Sequence, residues 1–299
     1  MFADQILQGV FLGAYYALIA CGLSFLFGVM RIINLAHGSI AVLAAYGTFV
    51  VADHFGLSPF IALVLIVPVV AAVGWILQRA VLERALRSGE LTPLLCTFGI
   101  AVVLDNSMFQ AFGANTKSLA PGIGDLAFNG WSLPGNVNVG QLAVLTLVVA
   151  VALLGGLQLM LSRTPLGRAI RATAEDADTA ELVGIDSRNV YAAAAAIAFV
   201  TVAIAGVFLG LRATFDPYAG ASQLIFAFEA VVIGGTGSLW GTLIGGVVLG
   251  VAQNLGSQIS PQGFLIAGHL VFLAVLAGRF LLKGRTLRSL FPALRKATT

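Results

Sequence analysis

Residues 229–250 read EAVVIGGTGSLWGTLIGGVVLG: a carboxylate inside an apolar run, a glycine-rich interruption, and a second apolar run with small residues about four apart. A carboxylate there costs about 2.5–3.5 kcal/mol on membrane-insertion scales, so Glu229 reads either as part of a pathway or as a protonated hydrogen bond between helices. Gly234, Gly235, Thr236 and Gly237 are small or flexible and break the first helix. Gly241, Gly245, Gly246 and Gly250 let the second approach its neighbours closely, which counts in lipid because no hydrophobic effect drives helices together there. Gly9, Gly13, Gly22 and Gly28 are as dense in the first apolar run. The stretch describes two membrane helices around a break.

Composition agrees with that reading. The 299 residues are 59% hydrophobic and 10% charged, with 35 Gly and 20 Phe, and the mean hydropathy is +0.98. Soluble domains average about 45–50% apolar and about 25% charged, so a soluble fold, disorder and fibrous repeats are all excluded. The chain reads as an all-α, polytopic membrane protein forming one domain over 1–299. The net charge of +3 points to no nucleic acid partner. Cys21 and Cys96 lie in apolar runs away from any His, as packing residues rather than a disulfide or zinc pair.

A bilayer core of about 30 Å takes roughly 20 helical residues. Eight spans are predicted: 6–30, 38–53, 59–82, 92–113, 139–161, 190–213, 239–258 and 262–282. A shorter stretch, 222–236, is expected to be broken or re-entrant. No Lys or Arg precedes Arg31, so the first span lacks the basic flank of a secretory signal and reads as a retained helix. Of the 16 Lys and Arg, all but Lys117 and Arg212 fall on one side of these spans. That bias puts the loops 83–91 and 162–189 and the tail 283–299 in the cytoplasm, and 114–138 outside. Counting back from a cytoplasmic C-terminus places the N-terminus outside only if 222–236 crosses.

Chemistry-bearing motifs are missing. There is no G-x-x-x-x-G-K-[ST], no H-E-x-x-H, no G-x-S-x-G and no strand-borne dinucleotide fingerprint. His37, His54 and His269 are too scattered for a metal cluster. What remains is moving a solute, forming a channel, or holding a complex together.

Three polar features carry that reading. The loop 162–189, SRTPLGRAIRATAEDADTAELVGIDSRN, places Arg163, Arg168 and Arg171 before Glu175, Asp176, Asp178 and Glu181. Ala172, Ala177, Ala180, Leu182 and Val183 supply small and apolar faces for a short helix, with Thr173 or Asp176 as cap and Gly184 as its end. Such a helix suits a groove on a cytoplasmic protein; the alternative is a lipid-facing or solvated connector. Second, Asn34, His37, Gly38 and Ser39 join the first two spans at membrane depth, as a structural elbow or as the wall of a pathway. Third, Glu229 and the pair Asp105 and Asn106 lie within spans. Gly38-Ser39 and Gly237-Ser238 each open an apolar helix, a hint of internal duplication. Gln253 and Asn254 read as interhelical hydrogen bonds and His269 as a core residue.

NLAHGS at 34–39, GRAIRATAEDADTAELVGID at 167–186 and the 229–250 stretch together resemble the branched-chain amino acid type of ABC-importer permease, in its shorter H-type subunit. The resemblance covers nearly the whole chain. It implies broken helices around a central route, in a bacterial inner membrane. It also implies a second homologous permease or a homodimer, two cytoplasmic ATPases that bind ATP and Mg, and an extracytoplasmic binding protein that delivers the solute. This chain itself then holds no cofactor and is not an enzyme. By motif, Arg168, Arg171, Ala180, Gly184 and Ile185 belong to ATPase coupling, alongside the acidic Glu175, Asp176 and Glu181. Asn34, His37, Glu229, Gly234, Gly235 and Gly237 belong to the broken-helix regions, alongside Ser39, Asp105, Asn106 and Thr236. Many relatives carry Glu after the His-Gly of the first motif, where this chain has Ser39, and relatives also move urea, short amides and organic acids. The expected mechanism is alternating access driven by the partners' ATP cycle. The rival is a stand-alone secondary transporter or channel using Glu229 and Asp105.

Overall fold

The computed structural model describes residues 2–86, 88–89, 91–133 and 137–282. Arg87 and the tail 283–299, both expected in the cytoplasm, lie outside them. The long helices are α1 (Phe2–Met30), α2 (His37–Phe55), α3 (Pro59–Leu86, with a π turn at Gln78–Leu82), α4 (Thr92–Phe112) and α5 (Gln141–Arg163). Two short helices follow, α6 (Pro165–Glu175) and α7 (Ala177–Leu182). Then come α8 (Ser187–Arg212), α9 (Gly220–Gly234), α10 (Leu239–Ser257) and α11 (Gly263–Leu282). Among the described residues eight helices are long and apolar enough to cross a bilayer, and α9 is the shorter apolar one. The fold is all-α, with the predicted spans displaced by only a few residues. One small exception is a hairpin of β1 (Gly130–Leu133) and β2 (Val137–Gly140), in which Trp131 faces Val139. Four-residue strands leave too little alternation to be read from sequence.

The bundle is built on α1, which is apolar on every side and almost wholly buried, as a helix without a polar face must be. Along it α10 runs antiparallel. A methyl group at Gly13 would fall on the backbone of Gly246 and Val247, and one at Gly250 on Gly9 and Gly13. The glycine spacing therefore does what it predicts, bringing two backbones into contact. One buried hydrogen bond, Thr242 Oγ1 to Ser24 Oγ at 2.8 Å, closes the same seam. The expected interhelical bonds are present as well: Tyr16 donates to Gln253 Oε1 at 2.5 Å, and Asn254 Nδ2 to the Gln5 carbonyl at 2.6 Å. Helices α3, α4, α5 and α11 are largely exposed along apolar surfaces and form the outside of the bundle.

Two ends can be told apart. On one, Gln8 donates to the Asn138 carbonyl beside the hairpin, and Lys117 pairs with Phe215 through their backbones. On the other lie Arg31, α6, α7 and the α9–α10 turn, where Arg279 Nη2 donates to the Ile233 carbonyl at 2.9 Å and Arg188 pairs with Glu83 at 3.1 Å. The charge asymmetry of the sequence is thus a real sidedness, and we call this end the arginine face. Segment 213–219 and α9 together carry the chain from the hairpin face to the arginine face. The N-terminus and the end of α11 consequently lie on opposite faces.

Candidate functional site

Met30 ends α1, and Arg31, with a left-handed φ of 56°, turns the chain back into the bundle. Residues 31–34 are not helical, and α2 starts at His37, whose Nε2–H donates to the Ile19 carbonyl at 2.7 Å. Ile19 is near the middle of α1, so α2 starts at mid-depth. The second half does the same: after Arg212 the chain re-enters, and α9 starts at Gly220 against Gly38 and Ser39. A methyl group on either Gly38 or Gly220 would overlap the other's backbone. Two helix starts thus abut inside the bundle, one running to each face. This is the geometry in which discontinuous helices line a route.

Of the predicted pathway residues, the structure gathers four at this junction. Asn34 is buried and its Oδ1 accepts from the Ala36 N–H at 3.0 Å, while its Nδ2 is buried without a partner. His37 and Ser39 are buried in the first turn of α2. Asp105, from α4, stands beside Ser39 and has one buried oxygen unpartnered. Asn106 instead faces outward, bonded to the Val102 carbonyl of its own helix at 2.8 Å. Glu229 is buried on α9 and meets His269 Nδ1 on α11 at 2.5 Å.

Gly234, Gly235, Thr236 and Gly237 do break the helix, and the break is a turn on the arginine face, where Gly235 (φ 103°) and Gly237 (φ 81°) reverse the chain between α9 and α10. Gly234 lies on Gly241 across that turn, and Gly237 touches Gly28 near the end of α1. Gly38 therefore pairs in space with Gly220, not with the Gly237-Ser238 that repeats its sequence.

The structure corrects His269. Expected in the core, it keeps 47% of its side chain exposed while it covers Glu229. Ionisable groups within a bilayer pair with one another, so a lone Glu and a lone His on neighbouring apolar helices were the signal that would have joined them.

On the arginine face the predicted single helix within 168–186 is two. Thr164 caps α6 by accepting from the Gly167 N–H at 2.9 Å, and Asp176 caps α7, accepting from Asp178 and Thr179. Thr173 is buried within α6 and caps nothing, whereas Gly184 (φ 86°) follows α7 as expected. Arg168, Glu175 and Glu181 are exposed, and Ile185 is half-buried. Arg171 Nη1 donates to the Leu161 carbonyl and so fixes α6 to α5. Ala180, 3% exposed, faces inward and packs against the rest of the chain. The outward apolar tip is Leu182 and Val183, 86% and 74% exposed.

The Thr179 hydroxyl, with the Thr179 and Asp178 N–H groups, holds the Asp176 carboxyl below the usual carboxylate range. A lowered value means that the cap contributes above about pH 4 and is lost as the pH falls through the lowered value. Amide protection across 177–182, relative to the intrinsic exchange rate at each pH, is expected to fall in that range, and Asp176→Ala should show the lower protection at neutral pH.

Two helix starts meeting at mid-depth, with buried polar groups beside them, are an arrangement that suits a membrane permease. Residues 5–278 match the family described as "Branched-chain amino acid transport system / permease component", and the chain belongs to that family. It is 32% identical to the high-affinity branched-chain amino acid transport system permease protein BraD of Pseudomonas aeruginosa, over 92% of this chain and 93% of that one. Identity to the corresponding protein LivH of Escherichia coli K12 is 33%, over 86% of each chain. The LivM protein of the same organism is 26% identical over 87% of this chain and 66% of its own. The chain is a transport permease and not an enzyme.

Proposed function

We propose that this chain is the permease subunit of an ATP-driven importer for a small organic solute, a branched-chain amino acid or a related amide, urea or organic acid, working by alternating access. The observation that carries the reading is the junction of α2 and α9, two helix starts abutting at mid-depth with Asn34, His37, Ser39 and Asp105 around them. The arginine face is the cytoplasmic one, since loops rich in Lys and Arg stay inside. On it, α6 and α7 form the coupling unit, with Leu182 and Val183 seated in a cleft on an ATPase and Arg168, Glu175 and Glu181 around them. Two such ATPases bind ATP and Mg, and their closure moves this unit relative to the bundle. ATP shifts the permease only by its different contacts with the two states. A second permease completes the route. One organism carrying both LivH and LivM as relatives of this chain supports a heterologous partner. The solute arrives from a binding protein on the hairpin face.

Purification from the native host in mild detergent, followed by mass spectrometry, tests this. ATPases carrying a phosphate-binding loop should be retained, with a second permease. Recovery of this chain alone, transporting in liposomes under an ion gradient, would favour the secondary-transporter reading, with Glu229 and Asp105 as its ion sites.

A further inference from the structure

Two of the outer helices are equally exposed and differ in what they expose. Helix α3 presents Ile61, Val64, Leu65, Val69, Val73 and Ile76, and every exposed residue between Ile61 and Ile76 is apolar. Acyl chains can cover such a surface. Helix α4 exposes Asn106, Ser107 and Gln110 as well. Asn106 follows Asp105, which stands beside Ser39 at the start of α2, so an exposed amide lies at mid-depth.

A second polar place adjoins it. A cavity of about 470 Å³ is lined by Leu94 of α4, Ile225 and Phe228 of α9, and His269 and Leu273 of α11, with Glu229 in its wall. Ile225, His269 and Leu273 are each about half exposed, so the cavity opens on the outside of the bundle. Glu229 is 3% exposed, and its Oε2 is buried without a partner. From the cavity, Leu94, Phe98, Val102 and Asn106 follow one another four residues apart, a connected row along α4 that ends at the exposed amide. The two polar places therefore belong to one side of the bundle.

Ionisable groups inside a span face protein or water and not acyl chains, whichever member of a pair holds the proton. Polar side chains on a membrane helix are likewise a mark of helix–helix contact, where they hydrogen-bond across the interface. Lipid suits the α3 side and does not suit this one.

We propose that the side formed by α4, α9 and α11 is the surface on which the second permease packs, with α3 turned to lipid. The occupant is a homologous permease presenting its corresponding side, so that the pair has an approximate two-fold axis between them. Asn106 then meets the partner's helices, and the partner covers the open cavity over Glu229 and His269. This deepens the importer reading above and rests on it for the existence of a second permease. The two relatives in one organism, LivH and LivM, favour a homologue over a second copy of this chain.

The test uses the chain in its assembled complex. The photo-cross-linking residue p-benzoylphenylalanine is placed in turn at Phe98 on α4, Leu273 on α11 and Val69 on α3, three positions of similar exposure. Membranes are irradiated before solubilisation, the complex is purified in mild detergent, and the cross-linked peptides are identified by mass spectrometry. Phe98 and Leu273 are expected to capture a homologous permease at a yield severalfold above that from Val69, which should capture lipid. Capture of that permease mainly from Val69 overturns the proposal. So does capture of lipid alone from Phe98 and Leu273 in a complex that still contains the second permease. A second copy of this chain captured from Phe98 or Leu273 overturns the choice of partner. Failure of the importer reading looks different: no second permease co-purifies from any of the three, with or without irradiation, and the surface then loses its occupant.

Discussion

Gly38→Ala is expected to lower the thermal midpoint of the detergent-solubilised protein by at least about 6 °C and to abolish transport. The new methyl group has nowhere to go. It lands on the Gly220 carbonyl, which belongs to backbone and not to the end of a flexible side chain. Overpacking of a well-filled interior costs about 1–3 kcal/mol, and the upper end applies where neither backbone can move without shifting a helix. In a chain of this size each kcal/mol corresponds to roughly 2–4 °C. Gly99→Ala is the matching control. Gly99 lies inside α4 with open space where its Cβ would be, so the same change there should be neutral or stabilise by up to about 1 kcal/mol. Fluorescence-detected size exclusion after heating reads both. A Gly38→Ala protein that melts with the wild type would mean that the two helix starts do not touch.

That contact also marks the limit of what the sequence discloses. Span positions are legible because twenty apolar residues in a row have few alternatives, and eight of them emerge within a few residues of their predicted bounds. The gathering of most basic residues at one end of the bundle is legible for the same reason: an apolar interior tolerates few charges. Pairing is not. Gly38-Ser39 and Gly237-Ser238 look alike in one dimension, yet Gly38 meets Gly220, and Gly237 makes a surface turn. Local composition says that a helix stops; it does not say at what depth. The Glu229–His269 bond fails to announce itself for a related reason. The two residues are forty positions apart on different helices, and only the packing of α9 against α11 joins them. The loop 162–189 lies between these cases. Its caps, Thr164 and Asp176, are local and nearly readable, but whether Ala180 or Leu182 faces out depends on how α6 docks against the bundle.

Leu182→Asp combined with Val183→Asp is expected to cut retention of the ATPases by a hundredfold or more and to stop uptake, with the permease itself intact. Both side chains project from the arginine face and make little contact with the rest of the chain, so their loss leaves the fold in place. Burying such a side chain contributes about 1.5–3 kcal/mol, so two together contribute about 3–6 kcal/mol, the equivalent of roughly two to four powers of ten in affinity. Two carboxylates at the tip would add the cost of desolvating charge in the partner's cleft. Charge reversal at Arg171 is the less discriminating experiment, because its guanidinium fixes α6 to the Leu161 carbonyl and the variant would loosen the α6–α7 segment itself. Ala180→Glu suffers the same defect, since Ala180 is inside. Titration of purified ATPases against wild-type and variant permease in nanodiscs gives the ratio directly. If the double variant held the ATPases as tightly as the wild type and still imported solute, the exposed tip of α7 would be only a connector, and the coupling surface would have to be sought elsewhere on the arginine face.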